Sequence, residues 1–335
     1  MTGVTLGDFA QSFMLQRRGV SLRAELTKLS EELATGQVSD VRDVLAGNVS
    51  FLADMEHDIR ILDAYRIAGL EAESYTNAMQ LSLEGIQTAV GDLATSIIAG
   101  SVTQTATSIE QNAFQARNSL ESMMAKLNGD VGGRSLFAGA ATKTAPVEDA
   151  DTLLNTLEFL IAGAATPADA RLAAETWFND PSGFAATIYK GSTEDLSPFL
   201  VGDGENVAVN VRADNEALRD TLMNVALTTL ASSNALSFNS SQRAELQRDS
   251  GLALQSNLED LTIVRAQIGT AEARLDAIET KNAAEKTSLE MARNDLLGVD
   301  PFETATKLED VQFRLQSIYA VTARLSDLSL VNFIQ

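Results

Sequence analysis

Cysteine is absent from all 335 residues, which removes disulfides, thiolate metal sites and cysteine nucleophiles together. Histidine occurs once, as His57 in "ADMEHDIR", so no second imidazole can complete a transition-metal shell. The acidic neighbours Asp54, Glu56 and Asp58 therefore read as a solvated helix face. Proline (5), tryptophan (1) and aromatics (5%) are also scarce, beside abundant Ala, Leu, Glu, Gln and Ser, and this balance favours helices over sheets. Cations are outnumbered: 25 Lys and Arg face 46 Asp and Glu, giving a formal charge of -21 that repels nucleic acid and anionic membrane. No apolar run approaches the roughly 18 residues of a membrane-spanning helix; "SIIAGSVT" is far too short. The opening residues show no apolar core with a small-residue cleavage site, and Arg17-Arg18 run into the charged "GVSLRAELTK". Neither a Sec nor a twin-arginine signal is expected.

What remains is a folded chain, 45% hydrophobic, with strong helical periodicity. Leu15, Leu22 and Leu29 recur every seven residues, and Leu26 and Leu33 fill the companion seam position. A second helical stretch starts near Ser50 with Leu52, Met55, Ile59 and Leu62 on one face. A third runs from Ile109 to Leu127 and stops at "NGDVGG", where Asn and Gly are expected to cap it. The longest repeat is Leu254, Leu261, Ile268, Leu275, Asn282, Leu289, Leu296, with Val264, Ala271, Ile278 and Ala292 beside it. A helix from about Ser240 to Leu297 would extend roughly 80 Å at about 1.5 Å per residue. Asn282 on that seam is expected to fix register. Gly298 and Pro301 then end the helix, and a terminal helix follows with Leu308, Val311, Leu315, Ile318, Leu325 and Leu328 as its apolar stripe.

Between about Gly132 and Asp220 the pattern changes. Alternating Val207, Val209 and Val211 after the "GDGE" turn predict a β-hairpin on a mostly helical body, the one convincing strand region. "VGDGENV" lacks the ligand spacing of a calcium loop, and "NGDVGGRS" lacks the lysine of a phosphate-binding loop. Trp177 in "ETWFNDPSGF" reads as a core anchor. No catalytic, cofactor-binding or metal-binding residues are assigned, and no enzyme is expected.

The residues then resemble a family. "LSEELATGQVSD" (29 to 40), with its Thr35-Gly36 turn and Asp40, resembles the N-terminal segment of flagellins and flagellar hook-filament junction proteins. The long seven-residue repeat, the break at "GVDPFETATKLE" and the ending "YAVTARLSDLSLVNFIQ" resemble the C-terminal half of that superfamily. Within it, "NGDVGGRSLFAGAATKTAPV" (128 to 147), with Gly133, Leu136, Phe137 and Gly139, is similar to the pattern of hook-associated protein 3, the junction protein.

The resemblance implies a mainly α fold, a long antiparallel helical rod or coiled-coil bundle with paired terminal helices and a small β-hairpin-containing (α+β) middle region. It implies five parts: a terminal-domain helix (1–45), half of the rod (46–131), the middle region (132–225), the long return helix (226–299) and a terminal-domain helix (300–335). It also implies a structural, extracellular part in the bacterial flagellum, exported by the flagellar type III apparatus with a chaperone and no cleaved signal. The expected partners are further copies in a ring or tube, hook-associated protein 1 and flagellin, with no nucleic acid, membrane insertion or cofactor. The leucine stripes of the two ends are the expected subunit interface. A small flagellin is the alternative; a membrane-active translocator is disfavoured because Arg314 and Arg324 are balanced by Glu309, Asp310 and Asp327.

Overall fold

The computed structural model describes residues 6–41, 49–100 and 105–334, with side chains placed for 10–41, 49–100 and 105–324. Four long helices dominate the described residues: α1 (Leu6–Thr35), α2 (Ser50–Gly100) and, after five shorter ones, α8 (Ser240–Leu297) and α9 (Pro301–Ile334). Between α2 and α8 lie α3 (Ala106–Leu127), α4 (Ala150–Ile161), α5 (Pro167–Asn179), α6 (Phe184–Thr187) and α7 (Glu216–Leu230). Two antiparallel hairpins complete the fold, β1 (Asp130–Val131) with β2 (Arg134–Ser135), and β3 (Phe199–Gly202) with β4 (Glu205–Val207). The architecture is mainly α, as the periodicity predicts, and α8 has the predicted limits.

The chain forms two compact units. One comprises the segments up to Leu62 and from Ala283; the other is Asp63–Asn282. Within the second, α2 and α8 run antiparallel, since Gln80 Nε2 donates to the carbonyl of Arg265 (3.1 Å) and Gln87 Nε2 to that of Leu258 (3.3 Å). Leu254, Leu261, Ile268 and Leu275 are buried there against Met79, Leu83, Ile86, Leu93 and Ile97 of α2. The seven-residue repeat thus becomes a packed seam. Helix α7 lies deep in this unit, with Leu218, Leu222, Val225, Ala226 and Leu227 fully covered. Part of its buried polar surface is paired: Asn224 Nδ2 donates to Asn257 Oδ1 at 3.0 Å, and Gln247 Nε2 of α8 donates to the carbonyls of Ile109 and Thr228, while Asn224 Oδ1 and Arg219 Nε find no partner among the described residues. Buried amides left without such bonds would each cost roughly 1–3 kcal/mol.

Capping chemistry sets the shorter helices. Thr105, Asp149 and Asn215 each accept a backbone N–H in the first turn of α3, α4 and α7. Thr166 and Asp169 form a reciprocal capping box around Pro167 at the start of α5. At the other end of α3 Asn128 supplies the cap, as expected, with ordinary backbone angles (φ -82°), its N–H reaching Met124 O and Lys126 O. The glycines with positive φ, Gly132 (60°) and Gly133 (76°), instead form the two-residue turn of the β1–β2 hairpin. That hairpin is an addition to the single strand region expected. The "GDGE" turn does join β3 to β4, and Val207, Val209 and Val211 are all buried, but the strand ends at Val207.

In the first unit, α1 is followed by Gly36, whose N–H still reaches Glu32 O at 2.9 Å and whose φ of 70° turns the chain out of the helix. Val38 N–H then donates to Leu297 O (2.8 Å) and Val299 N–H to Gly36 O (3.1 Å). These bonds tie the end of α1 to the junction of α8 and α9. Helix α9 starts on Asp300, whose Oδ1 accepts from the N–H groups of Phe302 and Glu303, with Pro301 at the first helical position.

Candidate functional site

The terminal helices pack on each other. They run antiparallel, because Gly36 lies beside Val299 while Arg23 meets Tyr319. Leu29 (8% exposed) and Val311 (4%) are buried, and Leu15, Leu22, Leu26, Leu308, Leu315 and Ile318 are half-buried. Leu33 is exposed. Leu325 and Leu328 continue α9, but their side chains lie outside the described residues. Arg23 Nε donates to the Tyr319 hydroxyl at 2.7 Å, and its guanidinium sits 5.5 Å from the ring centre, a cation–π contact that fixes the pairing register.

The turn after α1 is held from within. Thr35 Oγ1 donates to Glu31 O at 2.8 Å, and the buried Glu32 carboxylate accepts from the Ser39 N–H and hydroxyl. Asp40 is exposed.

The opposite faces of the two helices carry side chains that the leucine repeat does not include. Phe13 and Val20, seven apart, share a face of α1 and are 64% and 61% exposed; Met14 stands beside them. Phe302 and Phe313, eleven apart, share a face of α9 and are 83% and 68% exposed. Sequence reasoning missed this set. The available signal was large apolar residues off the seven-residue register, and it becomes legible once the leucines are committed to the α1–α9 pair. Exposed apolar faces of this kind mark interaction surfaces.

In the second unit the "NGDVGGRSLFAGA" segment is a packing hub. Tyr75 directs its hydroxyl at Ser135 O (2.9 Å) and Leu136 O (2.8 Å), and burial pushes its pKa up to about 12 against the opposing pull of Arg134. Leu136 and Phe137 are buried, and Arg134 pairs with Glu71 while lying over the rings of Tyr75 and Phe199. Asn128 exchanges two hydrogen bonds with the backbone of Val147, both at 3.0 Å. Gly133 closes the hairpin turn by donating its N–H to Asp130 Oδ2. Gly139 has φ 60°, and a Cβ there would stand 2.4 Å from Glu194 O.

His57 is exposed, and among the described residues no three His, Asp or Glu groups gather as a metal site. No described helix is long and apolar enough to cross a membrane. Trp177 is half-buried, edge-on to Phe178 and Phe184, and also lines an open groove, so it is only partly the core anchor expected.

A search of curated proteins found no match. Among solved structures, a protein of Vibrio parahaemolyticus assigned as a flagellar hook-associated protein aligns over 75% of this chain and 99% of its own, at 13% identity and a TM-score of 0.52. Bacillus cereus FlgL aligns over 72% of this chain and 99% of its own, at 11% identity and a TM-score of 0.53. At these identities the likeness is one of fold. Residues 253–334, most of α8 and all of the described α9, match the model of the bacterial flagellin C-terminal helical region.

Proposed function

We propose that this chain is a structural subunit of the bacterial flagellum, and that it is the adaptor of the hook-filament junction, joining hook-associated protein 1 to flagellin. The observation that carries the reading is the α1–α9 pair. Its C-terminal member lies in the segment that matches the flagellin C-terminal helical region, and its inner face takes up Leu22, Leu26, Leu29, Val311, Leu315 and Ile318 while the outer face leaves Phe13, Val20, Phe302 and Phe313 uncovered. In this reading Leu22, Leu26, Leu29, Val311, Leu315 and Ile318 build the pair, and neighbouring subunits of a ring or tube cover the outer face. Removing those phenylalanines from water supplies the drive for assembly, roughly 1.5–3 kcal/mol for each side chain fully buried. The role is structural and needs no catalytic group. Delivery by the flagellar type III apparatus, with an export chaperone and an uncleaved signal, belongs to the same proposal, and so does an extracellular location.

The small flagellin remains a second reading, because the matched model is that of flagellin itself. A head-to-tail interface that fits its own copy propagates without limit, whereas an adaptor needs a different partner at each end. Concentrated subunit mixed with filament seeds separates the two: an adaptor adds at most a short cap, and sustained elongation assigns the chain to the filament. Electron microscopy of cells lacking the protein tests the broader claim. Hooks without filaments are expected, and normal filaments would overturn it.

A further inference from the structure

The groove beside Trp177 lies in the Asp63–Asn282 unit, between the end of α4 and one face of α5, and holds about 580 Å³. It is an open groove and not an enclosed cavity. Its wall follows helical spacing: Asp169, Leu172, Ala173, Thr176 and Asp180 stand at i, i+3, i+4, i+7 and i+11 on α5 and its cap. Carboxylates therefore mark the two ends, about 16 Å apart at 1.5 Å per residue. Between them the surface is apolar, with Leu172 63% exposed, Leu160 closing the side and Phe159 of α4 88% exposed next to it.

Charge in the groove has one sign. No lysine or arginine lines it, and Arg171, the one cation on α5, is turned to Glu175 (2.9 Å) and to the carbonyl of Asp249. Asp169 uses Oδ2 for Thr166, and Asp180 uses Oδ1 for the N–H and hydroxyl of Ser182. Each keeps its other oxygen without a partner among the described residues. The Ser182 hydrogen bonds also hold the Asp180 carboxyl below the usual range, so it stays ionised.

We propose that this groove docks an amphipathic helix of a partner protein that carries a basic residue at each end of an apolar stripe, the cations meeting Asp169 and Asp180 and the stripe lying on Leu160, Leu172 and Trp177. A helix laid in such a groove presents its own anchors at i, i+3, i+4 and i+7. Charge complementarity argues for a basic partner rather than a second copy of this acidic chain, whose net charge is -21.

The chain contains one tryptophan, so tryptophan emission comes from Trp177, in the groove wall. The probe is a dye-labelled twelve-residue helical peptide with arginine at both ends and leucine at the fourth, fifth and eighth positions, added to the full-length chain and read by both anisotropy and Trp177 emission. Saturable binding at tens of micromolar is expected, weakened at least fivefold when both arginines are replaced by glutamine and weakened by salt. Asp169→Asn and Asp180→Asn keep the acceptor for Thr166 or Ser182 while removing the charge, and together they are expected to cost about tenfold. Equal binding of the glutamine peptide, wild-type affinity in the double variant, or no response at millimolar peptide would each overturn the proposal. The glutamine control is run on the unaltered protein, so it decides the matter even if the double variant folds poorly. Neither assay involves the terminal helices, so its failure leaves the flagellar reading to its own tests.

Discussion

Asn282 donates its side-chain amide to the carbonyl of Val201 at 2.7 Å, from a position where the seven-residue repeat of α8 calls for an apolar side chain. The bond ties strand β3 to α8, close to the point where Gly202 packs on Ile278. Replacing Asn282 with Leu restores the repeat and removes the tie. Amide exchange of residues 199–207 is expected to speed up while global helicity stays unchanged. Unchanged protection of β3 and β4 would show that the hairpin holds without this bond.

Gly139 permits no side chain. Left-handed backbone costs an alanine roughly 1–2 kcal/mol, and the clash with the Glu194 carbonyl adds to it. Gly139→Ala is therefore expected to lower unfolding free energy by at least about 2 kcal/mol, measured in denaturant. Gly133→Ala meets no neighbour and should lose only the backbone contribution.

The two faces of the terminal helices make opposite predictions. Phe313→Asp alters an exposed position, so helicity and melting of the subunit should stay within about 0.5 kcal/mol of wild type while incorporation into flagella is lost. Val311→Asp buries a charge in the α1–α9 pair and should expose both ends to limited proteolysis. Normal incorporation of the Phe313 variant would remove the outer face from the assembly proposal.

Asp220 on α7 supplies a pH dependence. Burial first, and then Glu216, Asp260 and Glu175, raise its pKa above the ordinary carboxylate value, with Arg219 opposing. The folded chain thus keeps a proton that the unfolded chain has already released. Its contribution to stability falls as pH rises from the ordinary value through the raised one, and it is least favourable at neutral pH. Asp220→Asn is expected to raise Tm at pH 7 by roughly 2 °C, with the gain shrinking as pH drops toward 4. A gain that grows on acidification would contradict the assignment.

The long helices were legible because their periodicity persists: Leu254 to Leu275 repeats often enough to outweigh local ambiguity, and Gly298 with Pro301 gives an unmistakable stop. Helices α4 and α5, at 12 and 13 residues, offer too few turns for such a signal and were absorbed into an undivided middle region. The β1–β2 hairpin has two residues per strand, too short for alternation, so "NGDVGGRS" reads as a helix stop and a turn with no strand on either side. For the candidate site, the leucine stripe was visible, but periodicity alone does not say whether a stripe meets its own chain or another. Phe13 and Phe313 needed the α1–α9 pairing before they formed a face. The Trp177 groove depends on how α4 and α5 meet, which no local pattern encodes.

The contact between Arg23 and Tyr319 spans 296 positions of sequence, and the Gly36–Val299 bond spans nearly as many. Contacts of such separation form late, since nearly the whole polymer must be available before they can close. At a synthesis rate of about 5–20 residues per second, α1 waits on the order of tens of seconds for its mate. During that interval the leucine face that α9 later covers stands open beside the phenylalanines that the folded chain itself leaves exposed.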